Sequence, residues 1–473
     1  MNSNNTNPQH AIVMGGSLGG LLTARVLSNH FAQVTILERD AVANYPEPRK
    51  GQPQARHLHG LLATGLHIMT HYFPDLPQAL RDSGAVMGDF AGTMQWYTYG
   101  GYRKRFKMGV QSTLMSRSLL EFLVRERVLA LPNVTLRDNC GVLGLVTAAS
   151  TGDGPSPLSA GVSGQQVTGV QVEYRNQAQQ EILNADLIVD CTGRGSRTSQ
   201  WLKELGYQPA PESEVRVDVG YATRVYQRDP ADPRGTDWVL VTPEAPKENR
   251  FGGIFPIEGD RWICSIGGWS GDHAPLDEAA FLEFARSLPA PDIYNIISQA
   301  RPISDIMPHK FPYSLRRHYE KLKHFPEGYL VLGDAISSFN PTYGQGMTSA
   351  AMQAAELDAL LRNRHSLDGL ALAFFKRAAK VIDTPWQLAV GEDFRFPQTT
   401  GPKPPGTDLI NRYVAKVHRA TLHDEVVGEA FLKVMNLMAP PPSLFQPRIV
   451  WRVLRAKRPS RTNSSVLQPA VGD

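Results

Sequence analysis

Three small residues in the segment IVMGGSLGG, namely Gly15, Ser17 and Gly20, stand at the spacing of a loop that wraps a pyrophosphate. A glycine at the first position turns the chain sharply out of a strand. A small residue at the second lets backbone amides approach the phosphates, and a glycine at the third lets the following helix pack closely on the sheet. Ser17 replaces the usual middle glycine. Phosphates held there meet a helix N-terminus, whose unpaired amides and dipole favour anions. Glu38, at the end of the next strand, is the expected acceptor for ribose hydroxyls and disfavours a 2′-phosphate, so the pattern fits FAD or NAD better than NADP. A glycine-rich loop alone is only a strand-helix turn in many proteins. Here the strand before, the helix after and the carboxylate make Gly15, Gly16, Ser17, Leu18, Gly19, Gly20, Glu38 and Arg39 a candidate half-site.

A second nucleotide-facing loop lies far downstream in GYLVLGDAISSFNPTYGQGMTSAAMQAAEL, residues 328–357. It separates FAD from NAD, since an enzyme using nicotinamide alone needs no such loop. The segment resembles the C-terminal FAD motif of the para-hydroxybenzoate-hydroxylase-like flavoprotein monooxygenases. That resemblance implies that Asp334 holds the ribityl or pyrophosphate region. Pro341, Gly344, Gln345, Gly346 and Met347 would lie against the flavin, with the next helix pointing its positive end at the reduced ring. Arg117 opens a helical stretch like the one whose arginine contacts the cofactor in those hydroxylases. The segment DLIVDCTGRGSRTSQWL (186–202) resembles their middle motif, with Thr192-Gly193 in place of the usual Asp-Gly. In that family the pair also serves NADPH, so electrons are expected from NAD(P)H directly or through a separate flavin reductase.

PRKGQPQARHLHGLL (48–62), TGRGSR (192–197) and GDAISSFNPTYGQGM (333–347) together are similar to the olefin epoxidases of polyether biosynthesis and to squalene-epoxidase-like bacterial flavoproteins, over roughly residues 10–395. The resemblance implies an FAD-dependent monooxygenase of secondary metabolism. It would pass one oxygen atom of O2, through a flavin C4a-hydroperoxide, to a lipophilic or polyketide-like substrate by epoxidation or hydroxylation. A prenyl-chain reductase would use the same cradle. A flavin halogenase needs a W-x-W-x-I-P signature that GGIFPIEGDRW lacks, and a non-catalytic flavin-binding protein is the remaining alternative.

Arg49, Lys50, Arg56, His57 and His59 form a basic cluster after Glu38, of which Arg56 is the expected cofactor contact; the alternative is a solvated loop. The two histidines lack further ligands at metal-binding spacing, so no metal is expected. Trp96, Tyr97, Tyr99, Tyr102 and Phe106 alternate on a hairpin and read either as sheet core or as one wall of an apolar pocket. No residue is identified as a general base.

The elements expected to position these residues are a β-α-β unit, with a strand at 11–14, a helix at 21–31 and a strand at 33–38, followed by a helix at 118–130. Strands at 167–174 and 182–190 read as one hairpin. A strand-rich region contains 215–226, 238–241 and a hairpin around Glu258-Gly259-Asp260, joined by an earlier hairpin around Gly100-Gly101. The nucleotide-domain pattern returns with a strand at 329–332 and a helix at 346–361. The fold class is thus α/β: a Rossmann-like FAD-binding domain with a parallel sheet, interleaved with a mostly antiparallel substrate domain, plus a helical C-terminal region. Its segments are 9–90, 113–205 and 311–395 for the nucleotide domain, 91–112 and 206–310 for the substrate domain, and 396–458 for the helices. Residues 151–166 read as a mobile loop and 459–473 as a disordered tail.

A net charge of +4 over 473 residues is too dilute for a nucleic-acid footprint. Cys140, Cys191 and Cys264 lack C-x-x-C spacing and point to a reducing compartment. With no signal-peptide pattern at the start and no spanning apolar run, the expected location is cytoplasmic. Arg448, Arg452 and Arg455 share a helical face beside apolar residues, which reads as a solvated face rather than a membrane contact.

Overall fold

The computed structural model describes residues 9–148, 165–175 and 179–456. The expected tail from 459 and all but the last two residues of the expected loop at 151–166 lie outside them.

Short runs rich in Val, Ile and Leu form a five-stranded parallel sheet. Its order is Tyr329–Val331, Leu187–Asp190, His10–Met14, Gln33–Leu37 and Val134–Arg137. Four of these strands are almost wholly buried, as expected where helices cover both faces, while the edge strand Val134–Arg137 buries only Val134. The covering helices include Leu18–Leu27, Arg117–Leu129 and Gly346–Leu361. The first begins at Leu18 rather than Leu21, because Ser17 is the N-cap and the glycines already belong to its first turn.

An eight-stranded sheet forms the second layer, built mainly from Glu212–Gln227, Arg250–Ile257, Arg261–Gly268 and Met307–Arg317. Its pairings are antiparallel except that Trp238–Val241 runs parallel to Met94–Thr98. The earlier hairpin therefore joins this sheet, with a second arm of only Gly101–Tyr102. Glu258–Asp260 closes the expected tight turn, Ile257 facing Arg261. Met307–Arg317 runs across the boundary expected at 310–311, and Ser337–Ser338 pairs with its end, so the two layers are joined by a continuous strand.

One expected strand divides. Gln179–Asn184 pairs with Val167–Tyr174 in a small three-stranded sheet, whereas Leu187–Asp190 enters the parallel sheet. Asp186 sits at the break and accepts hydrogen bonds from the amides of Gln9 and His10 at 2.7 and 3.0 Å, pinning the change of direction. C-terminal helices Thr407–Ala420, Glu425–Met435 and Pro447–Arg455 pack against the large sheet, sharing an apolar core with Met94, Trp96, Trp238 and Phe255. Among the described residues no helix is long and apolar enough to cross a membrane.

Candidate functional site

Gly15 leaves the first strand with φ +102°, a conformation that L side chains rarely adopt, and a Cβ there would lie 2.7 Å from the Cys191 carbonyl oxygen. At Gly20 a Cβ would fall 1.8 Å from the Gly15 carbonyl oxygen. Both positions therefore require glycine for steric reasons, and Gly20 serves packing rather than the cavity wall. Ser17 caps the helix without a side-chain capping bond, which leaves first-turn amides for another acceptor.

Under this loop lies a buried charge network. Glu38 accepts from the Gly16 and Asp40 amides, each at 3.0 Å, and pairs with Arg49 at 2.8 Å. Arg49 also binds Glu121 and donates to the Gly16 carbonyl at 3.1 Å. Glu121 receives Ser17 Oγ and Gln52 Nε2, both at 3.1 Å, and lies 3.2 Å from Arg117, which in turn donates to Ser17 at 3.1 Å. Two carboxylates and two guanidiniums thus fix the loop from behind with no net charge. Burial pushes the Arg117 pKa down, while the facing Glu121 holds it up.

The downstream motif comes to the opposite side of the same opening. Gly333 donates to Gln353 Oε1 at 2.8 Å, which fixes the turn carrying Asp334. Asp334 lines the cavity, with its accessible surface turned into that space and protein packed around the rest of the residue. Burial raises its carboxyl to about 6 against the opposing pull of Arg117 and Arg194. Arg194 stacks over Phe311 and Tyr313 and donates to the Tyr313 carbonyl at 2.7 Å. Gln345 N-caps the following helix, is itself buried, and its Oε1 has no partner among the described residues.

These groups line one cavity of about 930 Å³, including Gly15, Ser17, Leu18, Gly19, Glu38, Arg39, Arg117 and Asp334, together with Pro341, Gly344, Gln345, Gly346 and Met347. Gly16 binds Glu38 behind the wall, and Gly20 also lies outside the lining. Arg56 is exposed and outside the lining; Arg49, seven residues earlier, is the arginine of the basic cluster that is buried at the loop. His57 is buried against Tyr221 and His309 and bonds Thr223 Oγ1 at 2.8 Å, so burial lowers its pKa to about 3. His59 lines the cavity, with its pKa lowered to about 4 by burial and by Arg117.

Beyond the glycine loops the wall becomes aromatic, with Phe90, Trp96, Trp238, Phe255 and, from the C-terminal helices, Phe431. Trp96 and Tyr99 of the expected aromatic hairpin face this cavity, whereas Tyr97 and Tyr102 pack on each other outside the lining. Arg103 is buried between the Trp96 and Phe431 rings at 4.0 and 4.2 Å and bonds His418 at 2.8 Å. Glu392 and Arg395 form a 2.8 Å ion pair at this end. Next to them Asp393 accepts from Asn340 and Tyr343, both at 2.8 Å, tying the downstream loop to the helix Leu370–Asp393. Sequence reading missed Glu121, although it lies one helical turn after Arg117, and also missed Asp393 and the Phe431 wall, which only tertiary packing brings here.

A scan against protein-family models finds no match. Among solved structures the fold resembles the flavin-dependent brominase Bmp2, with TM-score 0.62 and 12% identity over 94% of this chain and 98% of that one. It also resembles PqsL, a probable FAD-dependent monooxygenase from Pseudomonas aeruginosa, with TM-score 0.56 and 16% identity over 82% and 98%. A flavoprotein/dehydrogenase from Cytophaga hutchinsonii gives TM-score 0.63 and 12% identity over 90% and 92%. The architecture is therefore that of FAD-binding flavoproteins. In sequence the chain is 32% identical over 452 residues to Protein Rv3254 of Mycobacterium tuberculosis, covering 91% of this chain and 90% of that protein. The chain belongs to the same family as Protein Rv3254.

Proposed function

We propose that this protein is an FAD-dependent monooxygenase that epoxidises or hydroxylates a lipophilic substrate. The observation that carries the reading is the single cavity running from the two glycine-containing loops to an aromatic wall, which gives a nucleotide cofactor and an apolar substrate one shared space. Its volume lies at the upper end of the roughly 300–1,000 Å³ typical of ligand pockets.

The residues fit such a cofactor. Gly15 admits close approach of a pyrophosphate, the first turn of the helix Leu18–Leu27 offers amides, and Glu38 lines the cavity at the end of the second strand. Asp334 and the amides around Gln345 close the other side, with the unpaired Gln345 Oε1 as a further acceptor. When bound and reduced, the flavin supplies activation of O2. The protein's own tasks are placement and dryness: Phe90, Trp96, Trp238 and Phe431 exclude water and hold an apolar substrate against the cofactor end of the cavity. Thr192 stands where the aromatic hydroxylases carry an aspartate and donates to Asp190 at 2.6 Å, so a separate flavin reductase is the reductant source we favour over direct NAD(P)H use.

The test is to quantify flavin released from purified protein, then reduce the holoprotein without oxygen and mix it with oxygenated buffer. A transient flavin spectrum distinct from both the oxidised and the reduced forms supports the reading. Direct reoxidation with substrate present moves it toward a double-bond reductase, and absence of flavin overturns it. Asp334→Ala is expected to lose FAD or bind it weakly; full retention of the yellow cofactor would count against the assigned loop.

A further inference from the structure

Half of the twelve exposed large hydrophobic side chains among the described residues fall between 409 and 454: Leu409, Ile410, Met438, Phe445, Trp451 and Leu454. Their exposure is substantial, 69% for Leu409 and 53% for Trp451. The helices Thr407–Ala420 and Pro447–Arg455 that carry four of them pack together, and the turn Pro441–Phe445 just before the second is held on the first: Tyr413 stacks on Phe445 at 4.7 Å and its hydroxyl donates to the Leu444 carbonyl at 2.7 Å. Val417, Ile449 and Val453 form the buried side of this pair. The outer side is thus apolar in part, with exposed apolar side chains on both helices.

The charge of the same two helices is one-sided. They hold six Arg or Lys, namely Arg412, Lys416, Arg419, Arg448, Arg452 and Arg455, against the single acid Asp408, a net +5 compared with +4 for the entire chain. Arg419 and Arg452 pair with Glu244 and Asp424, whereas Arg412, Lys416, Arg448 and Arg455 are exposed without a carboxylate partner among the described residues. Arg455 lies over the Trp451 ring at 4.1 Å, so basic and aromatic groups are interleaved. Apolar side chains flanked by unpaired cations match the interface of an anionic bilayer.

We infer that the face formed by Thr407–Ala420 and Pro447–Arg455 docks the protein on an anionic lipid surface. The intervening helix Glu425–Met435 supplies Phe431, Leu432 and Met435 to the cavity wall, so docking sets the apolar half of the cavity beside the lipid phase. That last consequence, entry of substrate from the membrane, rests on the proposed function; the docking itself does not.

The experiment is sedimentation of the full-length protein with vesicles of phosphatidylcholine alone and of phosphatidylcholine mixed with phosphatidylglycerol. Pelleting is expected only with the anionic vesicles and is expected to fall as salt rises. Arg448→Gln with Arg455→Gln should weaken it about twenty-five-fold, from roughly five-fold per surface arginine. Trp451→Ser with Leu454→Ser should weaken it as well, with unchanged thermal stability. Equal pelleting with neutral vesicles, no pelleting at all, or a dimer that the Trp451→Ser variant dissolves would each overturn the inference, the last identifying a second copy as the occupant. Pelleting requires no turnover, so protein that binds anionic vesicles but activates no oxygen counts against the monooxygenase reading alone.

Discussion

Replacing Glu121 by Gln tests whether the loop is held by a neutral buried tetrad. Glu38, Arg49, Glu121 and Arg117 have side chains 4–9% exposed, and their charges cancel. The amide preserves shape and one acceptor but removes the carboxylate that touches both arginines, leaving Glu38 on Arg49 and no carboxylate at ion-pair distance from Arg117 among the described residues. Breaking a buried pair by removing one charge costs about 3–5 kcal/mol, since the remaining ion is neither solvated nor matched. Glu121 touches both arginines, Ser17 and Gln52, which places the expected loss in the upper part of that range. The assay is urea unfolding followed by tryptophan fluorescence at neutral pH, with Glu47→Gln on the exposed loop as a control expected within about 0.5 kcal/mol of the parent. Adding Arg49→Met to Glu121→Gln restores neutrality with Glu38 and Arg117, and should recover part of the loss. A single variant as stable as the control, or a double variant no better than the single, would refute the argument.

Gly20→Ala should cost at or above about 3 kcal/mol, because the obstruction is the Gly15 backbone rather than a movable side chain; soluble yield and released flavin measure it. Asp393, raised to about 7 mainly by burial, should make the native state less stable as pH rises from about 4 to 7 and level above that. Asp393→Asn removes that dependence, so the stability difference between the two proteins should grow by up to about 1.4 kcal/mol per pH unit across the window, read as melting temperature against pH. Arg103→Lys loses the planar stack between Trp96 and Phe431 and should destabilise by about 2 kcal/mol in thermal unfolding, even though charge is conserved.

Local chemistry was the legible part of this chain. The first loop, Glu38, the helix 346–361 and the turn at 258–260 follow from glycine sterics and periodicity within a few dozen residues, and the structure has these elements where the sequence suggests them. Boundaries set by distant partners were not legible. The apolar run 182–190 carries no signal that Asp186 will be caught by two amides from residues 9 and 10, so one strand became two. Arg49 and Arg56 are the same residue type in one loop, and only the burial of Glu121 on another helix distinguishes the internal one. The aromatic wall likewise needed Phe431 to arrive from a region whose helical pattern says nothing about its docking site.

The order of the parallel sheet has a consequence for how the chain reaches its native state. Its strands come from residues 10–14, 33–37, 134–137, 187–190 and 329–331, and the central strand pairs directly with one 176 positions later. The edge strand is available only after roughly two thirds of the polypeptide has left the ribosome. Until then Leu187–Asp190 has an open edge and Asp190 lacks the hydroxyl of Tyr329, 3.3 Å away in the finished protein. Loop-closure entropy of this kind slows folding and lengthens the exposure of an unpaired apolar edge. Chains stopped before residue 331 should therefore associate or be degraded rather than accumulate as a stable N-terminal fragment.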